Sequence, residues 1–425
     1  MLFKIISLGC KVNSYECASL SSMLQKRGYF ECGDKNPDIV IINTCSVTAT
    51  ADQKSRQHIR KMMKEYPNAI CVVMGCYSQG NKDYISREIK PHILVGTSNR
   101  NLIPDYIDEY LKTKTNIVKV DDKPRLFHYE EMGITSYTDN VRAYLKIEDG
   151  CDNFCSYCLI PLRRGRLRSR EKENVIAEAK YLINEGYKEI VLTGIHVGGY
   201  GQDLNGVTFS SLVHELADLD GLHSLRISSI EESEIDEELI RLVTENKVLA
   251  KHLHIPLQSG SDSVLKRMNR KYTASEFINK LTLVRTKLPD IALTTDVIVG
   301  FPGETDEEFE ETIETIKKSG FDMLHVFPFS AREGTKAFLM KDQVPPTVKK
   351  QRVHRLLDLS NELWERYTNR FIGKELEVLI EKCDEESKLA SGHTSNYIEV
   401  KTTINNVKTG DLVKIKLQKS MIVSK

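Results

Sequence analysis

Short, almost wholly apolar runs alternate along this chain with longer stretches in which apolar residues recur every three or four positions. Phe3–Leu8 is the first such run, and Asn13 to Lys26 the first periodic stretch, with Leu20, Met23 and Leu24 on one face. Asp38–Asn43, Ala69–Met74 and Ile93–Val95 repeat the run, with a charged helical stretch to about Glu65 among them. Apolar runs of this length separated by helices predict a parallel sheet covered on both faces, an open α/β sheet of the flavodoxin-like kind. A second series begins at Arg142–Glu148. Its further strands are Glu189–Thr193, His223–Ser228, His252–Ile255, Ile291–Val299 and Asp322–Phe327. Helical stretches intervene near Glu173–Glu185, Phe209–Leu219, Asp236–Glu245, Ser261–Met268, Ser275–Lys287 and Asp306–Lys318. Six strand–helix units predict a partial (β/α)6 barrel, whose site lies at the carboxyl ends of its strands. Thr273–Glu276 and Thr305–Glu308 read as capping boxes, so the acids of the second complement a helix dipole rather than ligate a metal.

Pro346 to Phe371 predicts one long amphipathic helix, with Val353, Leu356, Leu357, Leu363, Trp364 and Tyr367 in a core-facing stripe. After Gly373 the period changes to alternation at Leu376–Ile380, Tyr397–Lys401 and Asp411–Leu417, the pattern of a small antiparallel β-barrel. Thr113 to Thr138 is polar and aperiodic and reads as a linker. The expected division is therefore 1–112, a linker 113–138, a barrel with its trailing helix 139–371, and the small β-domain 372–425.

A chain of 425 residues is long enough for two or three such domains. Lys+Arg and Asp+Glu balance at 60 each, so no net field draws in nucleic acid and any basic surface must be local. Ten cysteines in a chain this long do not resemble a small secreted disulfide scaffold and fit metal-bound thiolates in a reducing cytosol. Met1 runs directly into the first strand, and no apolar run has the length of a membrane span. The expectation is a cytoplasmic protein without membrane contact.

The cysteines carry the chemistry. Cys151, Cys155 and Cys158 fall within eight residues, after the first barrel strand. A cubane iron–sulfur cluster takes four cysteines, so three would leave one iron open; half of a zinc site completed from elsewhere is the rival reading. Cys10, Cys45 and Cys76 each follow a strand of the first sheet by one or two residues. The carboxyl ends of parallel strands share one edge, where ligands bind, so these three are candidates for one metal site; the alternative is three small buried hydrophobes. Cys71 lies inside its strand and reads as core, and Cys17 is a rival ligand near Cys10. Arg163 to Arg170 holds five arginines beside the second cysteine set, a local positive patch suited to phosphate or to the acidic helices. Glycine-bearing loops follow the other barrel strands, at Gly194, at Gln258-Ser259-Gly260, at Gly300–Gly303 and at Arg332–Thr335. His252 and His254 share a strand face and read as hydrogen-bonded rather than zinc-bound.

The loop Cys151–Cys158, with Tyr157 before its last cysteine, resembles that of radical S-adenosylmethionine enzymes. Gly9-Cys10-Lys11-Val12-Asn13, Asn43-Thr44-Cys45 and Gly75-Cys76-Tyr77 resemble the three cysteine motifs of the methylthiotransferase amino-terminal domain. Arg164-Gly165-Arg166-Leu167-Arg168-Ser169-Arg170 matches that family too, and the tail resembles its TRAM domain. The resemblance implies two 4Fe-4S clusters, one held by Cys151, Cys155 and Cys158 and one by Cys10, Cys45 and Cys76. It also implies S-adenosyl-L-methionine near Tyr157, Gly194, Gln258 and Arg332, and RNA contact by Arg164, Arg166, Arg168 and Arg170. Lys-Val-Asn after the first cysteine resembles the branch that methylthiolates N6-threonylcarbamoyladenosine at position 37 of tRNA. Other branches act on isopentenyl-adenosine of tRNA, typically with Gln-Met-Asn, or on a ribosomal-protein aspartate, with Pro-Lys-Asn. The implied partners are a tRNA anticodon stem-loop, an electron donor and a sulfur source, with the chain acting as a monomer. A metal-stabilised RNA-binding protein without turnover is the alternative from another class.

Overall fold

Every residue of the strands Ile39–Thr44 and Ile70–Gly75 is buried, as expected of central strands in a parallel sheet with helices on both faces. The computed structural model describes residues 1–122, 128–133, 137, 141–384 and 386–424. The sheet has six parallel strands in the order Phe30–Glu31, Leu2–Ser7, Ile39–Thr44, Ile70–Gly75, Ile93–Val95 and Ile117–Lys119. The first five follow the flavodoxin-like order, whose direction reverses between Leu2–Ser7 and Ile39–Thr44, the point where open α/β sheets bind ligands. Ile117–Lys119 corrects the expected linker start at 113: Ile117 is buried against the sheet, and the strand extends it beyond residue 112. Much of the expected linker (123–127, 134–136 and 138) lies outside the described residues.

Two three-stranded parallel sheets build the second body. Arg142–Lys146, Glu189–Thr193 and Ser224–Ile227 form one, and His252–His254, Ala292–Val299 and Met323–Pro328 the other. Leu225 bridges Leu249 between them, giving the open arc of a six-unit barrel. Both expected capping boxes form, Thr273 with Glu276 and Thr305 with Glu308. Helix Pro346–Asn369 is fixed along the last strand by Ser360, whose hydroxyl accepts from Leu324 N–H (3.0 Å). Leu356, Leu363, Trp364 and Tyr367 of its stripe are buried, while Leu357 is exposed.

The tail is a four-stranded antiparallel sheet in the order Glu399–Thr403, Leu389–Thr394, Glu375–Cys383, Leu412–Lys416. It packs on Trp364, Tyr367 and Phe371 at the helix end. Among the described residues no helix is long and apolar enough to cross a membrane.

Candidate active site

Cys10 is the N-cap of helix Lys11–Lys26; its exposed thiol makes no capping hydrogen bond to the backbone and donates to Asn13 Oδ1 (3.4 Å). Gly9, at φ +119°, makes the turn into it, and a β-carbon there would lie 2.8 Å from Cys45 Sγ. Gly75, at φ +104°, plays the same part before Cys76, where a β-carbon would lie 2.5 Å from the Asn43 side-chain oxygen. These two glycines are required because backbone and thiol loops meet at van der Waals distance. Asn13 ties the loops together: its amide donates to Leu8 O (2.8 Å) and Thr44 O (3.2 Å). Asn43 donates in turn to Asn13 O and Glu16 Oε2. The asparagines of both motifs are thus what align Cys10 with Cys45.

Cys45 and Cys76 are buried and Cys10 is exposed. Burial pushes the Cys76 thiol up to about 11, with the Arg164 guanidinium pulling the other way and Cys10 adding to the rise. Cys45 is raised by burial and by the same Cys10. Arg164 Nε donates to Cys76 Sγ at 3.2 Å. In the second set, Asn153 N–H lies 3.5 Å from Cys151 Sγ, Ile160 N–H 3.4 Å from Cys158 Sγ, and Arg270 Nη1 3.5 Å from Cys155 Sγ. Burial pushes Cys158 up to about 12, reinforced by Cys155 and Cys151.

Two sets of three thiols, each approached by a guanidinium and by convergent donors, fit anionic iron–sulfur groups, since hydrogen bonds to sulfur stabilise and tune them. Iron binding would also displace the protons that burial holds on Cys45, Cys76 and Cys158. Among the described residues no three His, Cys, Asp or Glu side chains are grouped tightly around one point. Cys17 and Cys71 are buried, and burial raises both thiols to about 12.

The two sets are joined by a buried ion network. Glu16, fully inaccessible, accepts from Arg164 Nη1 (2.8 Å) and Lys146 Nζ (3.2 Å) and pairs with Arg100. Asp149, two residues before Cys151, takes Lys146 (2.7 Å), Arg164 (3.1 Å) and Arg100 (3.2 Å). Helix Lys11–Lys26 of the first body is thereby keyed to the first barrel strand.

Glu148 is buried, and burial holds its carboxyl up at about 8. Its Oε1 accepts from His196 N–H (2.5 Å), while Oε2 has no partner among the described residues. A β-carbon on Gly194 would lie 2.0 Å from Oε1. Gly194 is thus required by the Glu148 side chain itself, and the orphaned carboxyl oxygen is left over for a ligand's donor. His196 bridges Glu234 and Cys151; burial opposes its proton, and those two hydrogen bonds raise it to about 11.

A cavity of about 690 Å³ opens between the two bodies. One wall is Cys10, Lys11 and Val12. The other is the carboxyl ends of the barrel strands, among them Gly194, His254 and Asp296, and Tyr397 of the tail closes a side. His252 and His254 share the Thr294 hydroxyl at 2.9 Å each, and His254 Nε2 lies 3.3 Å from Asp296. They are hydrogen-bonded, as the sequence suggests. His252, stacked on Tyr397 with ring centroids 4.0 Å apart, is kept neutral by burial and by the nearby Arg226.

Several expected contacts need correction. Of the four arginines assigned to RNA, only Arg166 is exposed; its guanidinium lies over the Phe154 ring at 4.7 Å. Arg164, Arg168 and Arg170 are buried. Arg164 serves Glu16 and Asp149, Arg168 donates to Arg164 O and Arg166 O, and Arg170 pairs with Glu131 and Glu178. These guanidinium groups are buried and engaged with carboxylates and carbonyls, which withdraws them from a phosphate at the surface. Arg332, assigned to the cofactor, is committed to the first body, donating to Asp52 (2.6 Å) and Ser46 O (3.1 Å). The Tyr157 ring packs against the apolar cluster around Phe301 and Phe329. Gln258 sits at φ +61°, its backbone paired to Asp296 O and Ile298 N. Glu16, Glu148, His196 and Arg270 escaped the sequence reading, which held Lys11 only as part of the motif after Cys10. Only Glu148, three residues before the cysteine loop, carried a positional hint.

The Radical SAM superfamily model matches residues 145–316, and the model described as uncharacterized protein family UPF0004 matches residues 2–96. The threonylcarbamoyladenosine tRNA methylthiotransferase MtaB of Bacillus subtilis is 44% identical, over 97% of this chain and 93% of that protein. Its namesake from Thermotoga maritima is 37% identical over 97% and 94%. The tRNA-2-methylthio-N(6)-dimethylallyladenosine synthase of Clostridium botulinum is 36% identical over 98% and 94%. Among solved structures, the radical S-adenosylmethionine methyltransferase TsrM of Kitasatospora setae superposes with a TM-score of 0.59 at 14% identity, covering 77% of this chain and 74% of that one. That last likeness concerns the fold alone.

Proposed function

The chain belongs to the methylthiotransferase family of radical S-adenosylmethionine enzymes, and we propose on that premise that it methylthiolates C2 of N6-threonylcarbamoyladenosine at position 37 of tRNA, in the cytoplasm. The observation that carries the reading is the cavity walled on one side by the Cys10 loop and on the other by the barrel strand ends. Its volume is that of a small-ligand site, large enough for a modified adenine beside Cys10. The relatives named for threonylcarbamoyladenosine and the Lys11-Val12-Asn13 sequence favour this branch over the dimethylallyl one.

In this reading Cys151, Cys155 and Cys158 hold a radical 4Fe-4S cluster, and Cys10, Cys45 and Cys76 hold an auxiliary one. When bound, the clusters and two molecules of S-adenosylmethionine supply the electron, the radical and the methylthio group, chemistry beyond any side chain. The side chains position and protect. Arg270 and Arg164 direct donors at the two thiolate sets. Glu148 offers its open oxygen beside Gly194. Arg166, exposed over the Phe154 ring, is the arginine this reading gives to the RNA backbone.

Anaerobic reconstitution tests the assignment. About eight irons per chain are expected, the content of two cubanes, together with 5′-deoxyadenosine on reduction. Cys151→Ala, Cys155→Ala and Cys158→Ala should abolish cleavage of S-adenosylmethionine. Cys10→Ala, Cys45→Ala and Cys76→Ala should retain cleavage and lose methylthiolation. Iron at half that content, or equal loss of cleavage in both groups, refutes the two-cluster assignment. Nucleoside mass spectrometry of a deletion strain decides the substrate: unchanged 2-methylthio-threonylcarbamoyladenosine would rule it out.

A further inference from the structure

Lys11 lines the cavity beside Cys10, and among the described residues its ammonium has no hydrogen-bond or ion-pair partner. The charges around it explain why it stays unpaired. Arg226, Arg142 and Glu189 are its charged neighbours. Glu189 is already consumed: Arg226 holds it at 3.2 and 3.0 Å, Arg142 at 2.6 Å, and the Ser224 hydroxyl donates to it at 2.9 Å. Arg142 is shared further with Glu381. Asp296, on the opposite cavity wall, faces His254. The corner around Lys11 thus holds three cations, Lys11, Arg226 and Arg142, against two carboxylates, Glu189 and Glu381, and the cation exposed to the cavity is the unpaired one.

We propose that Lys11 binds the carboxylate of the threonylcarbamoyl group and is the residue that selects this substrate, an inference that rests on the proposed function above. A dimethylallyl group is apolar and has nothing to offer the ammonium. An unpaired lysine at that corner would instead be desolvated without compensation, which disfavours the apolar substrate. Selection therefore has an attractive and a repulsive part, both at one side chain.

The full-length reconstituted enzyme is tested with three anticodon stem-loop RNAs. They carry at position 37 N6-threonylcarbamoyladenosine, its carboxyl methyl ester, or N6-dimethylallyladenosine. Binding is read by fluorescence anisotropy, and KM and kcat by nucleoside mass spectrometry. The wild-type enzyme should bind the acid roughly ten- to a hundredfold more tightly than the ester, the worth of a hydrogen bond to a charged group. Lys11→Met should bring that ratio close to one, and Lys11→Arg should keep most of it. Iron content and cluster absorption of both variants check that the neighbouring Cys10 site is intact. The inference is overturned if the wild-type enzyme treats acid and ester alike, or if a cluster-loaded Lys11→Met preserves the ratio while the acid is still turned over. If the wild-type enzyme modifies the dimethylallyl loop and not the acid loop, the substrate reading falls and the inference falls with it.

Discussion

Glu16→Gln isolates the ion network that joins the two bodies. The substitution keeps the shape of the side chain and removes one charge. It leaves Arg100, Lys146 and Arg164 facing Asp149 and Glu130, with the Glu16 position 0% exposed and the three cations at 1–2%. Removing one partner of a buried ion pair costs about 3–5 kcal/mol, because the remaining charges stay desolvated and uncompensated. With a Tm shift of about 2–4 °C per kcal/mol for bodies of this size, even the lower figure predicts a fall of roughly 6–12 °C. Burial opposes ionisation of Glu16, but Arg100, Arg164 and Lys146 overcome it and hold the carboxyl well below the usual carboxylate range. A depressed carboxyl stabilises above its unfolded-state pKa. The deficit of the variant should therefore be constant from neutral pH down to about 4 and shrink below it. Melts followed by circular dichroism at 0.1 M and 1 M NaCl measure the effect. A buried network lies out of reach of mobile ions, so the deficit should survive high salt. A loss under about 1 kcal/mol, the range of exposed pairs, or one that disappears in 1 M salt, refutes the argument.

Arg166→Ala should weaken stem-loop binding several-fold and lower the slope of log K against log salt by about one, whereas Arg168→Ala should reduce stability; equal effects on binding would contradict the division between exposed and buried arginines. Glu148, raised by burial to about 8, binds a proton in the folded state that the unfolded chain releases above about 4.3. Its stabilising contribution is complete below that value and is lost as pH rises to about 8. Glu148→Gln should therefore gain on the wild-type protein between pH 5 and pH 8.5, by an amount on the order of a few kcal/mol; a pH-independent difference in chemical melts would mean that Glu148 is ionised throughout.

The strands of the open sheet and the barrel were legible because their signal is local. A run such as Ile39–Ile42 is apolar on both faces wherever it folds, and Thr305–Glu308 caps its own helix. The placing of Cys10, Cys45 and Cys76 at strand ends was legible for the same reason, since a parallel sheet brings successive carboxyl ends to one edge. Phe30–Glu31, Ile117–Lys119 and Leu389–Thr394 escaped because little in their composition marks a strand. The first two are edge strands with few buried side chains, and the last reads Leu-Ala-Ser-Gly-His-Thr.

The arginine stretch marks the limit most clearly. Arg164, Arg166, Arg168 and Arg170 are one residue type at one spacing, and the sequence by itself determined only that positive charge lies beside the cysteine loop. The tertiary structure decided that three of them are consumed by Glu16, Asp149, Glu178 and neighbouring carbonyls and that one meets solvent. It likewise decided that Lys11 faces the cavity with no acid to hold it. A charge carries no local signature of its partner. Whether it is buried, paired or open depends on carboxylates up to 280 residues away in the chain, and only the packed fold brings those together.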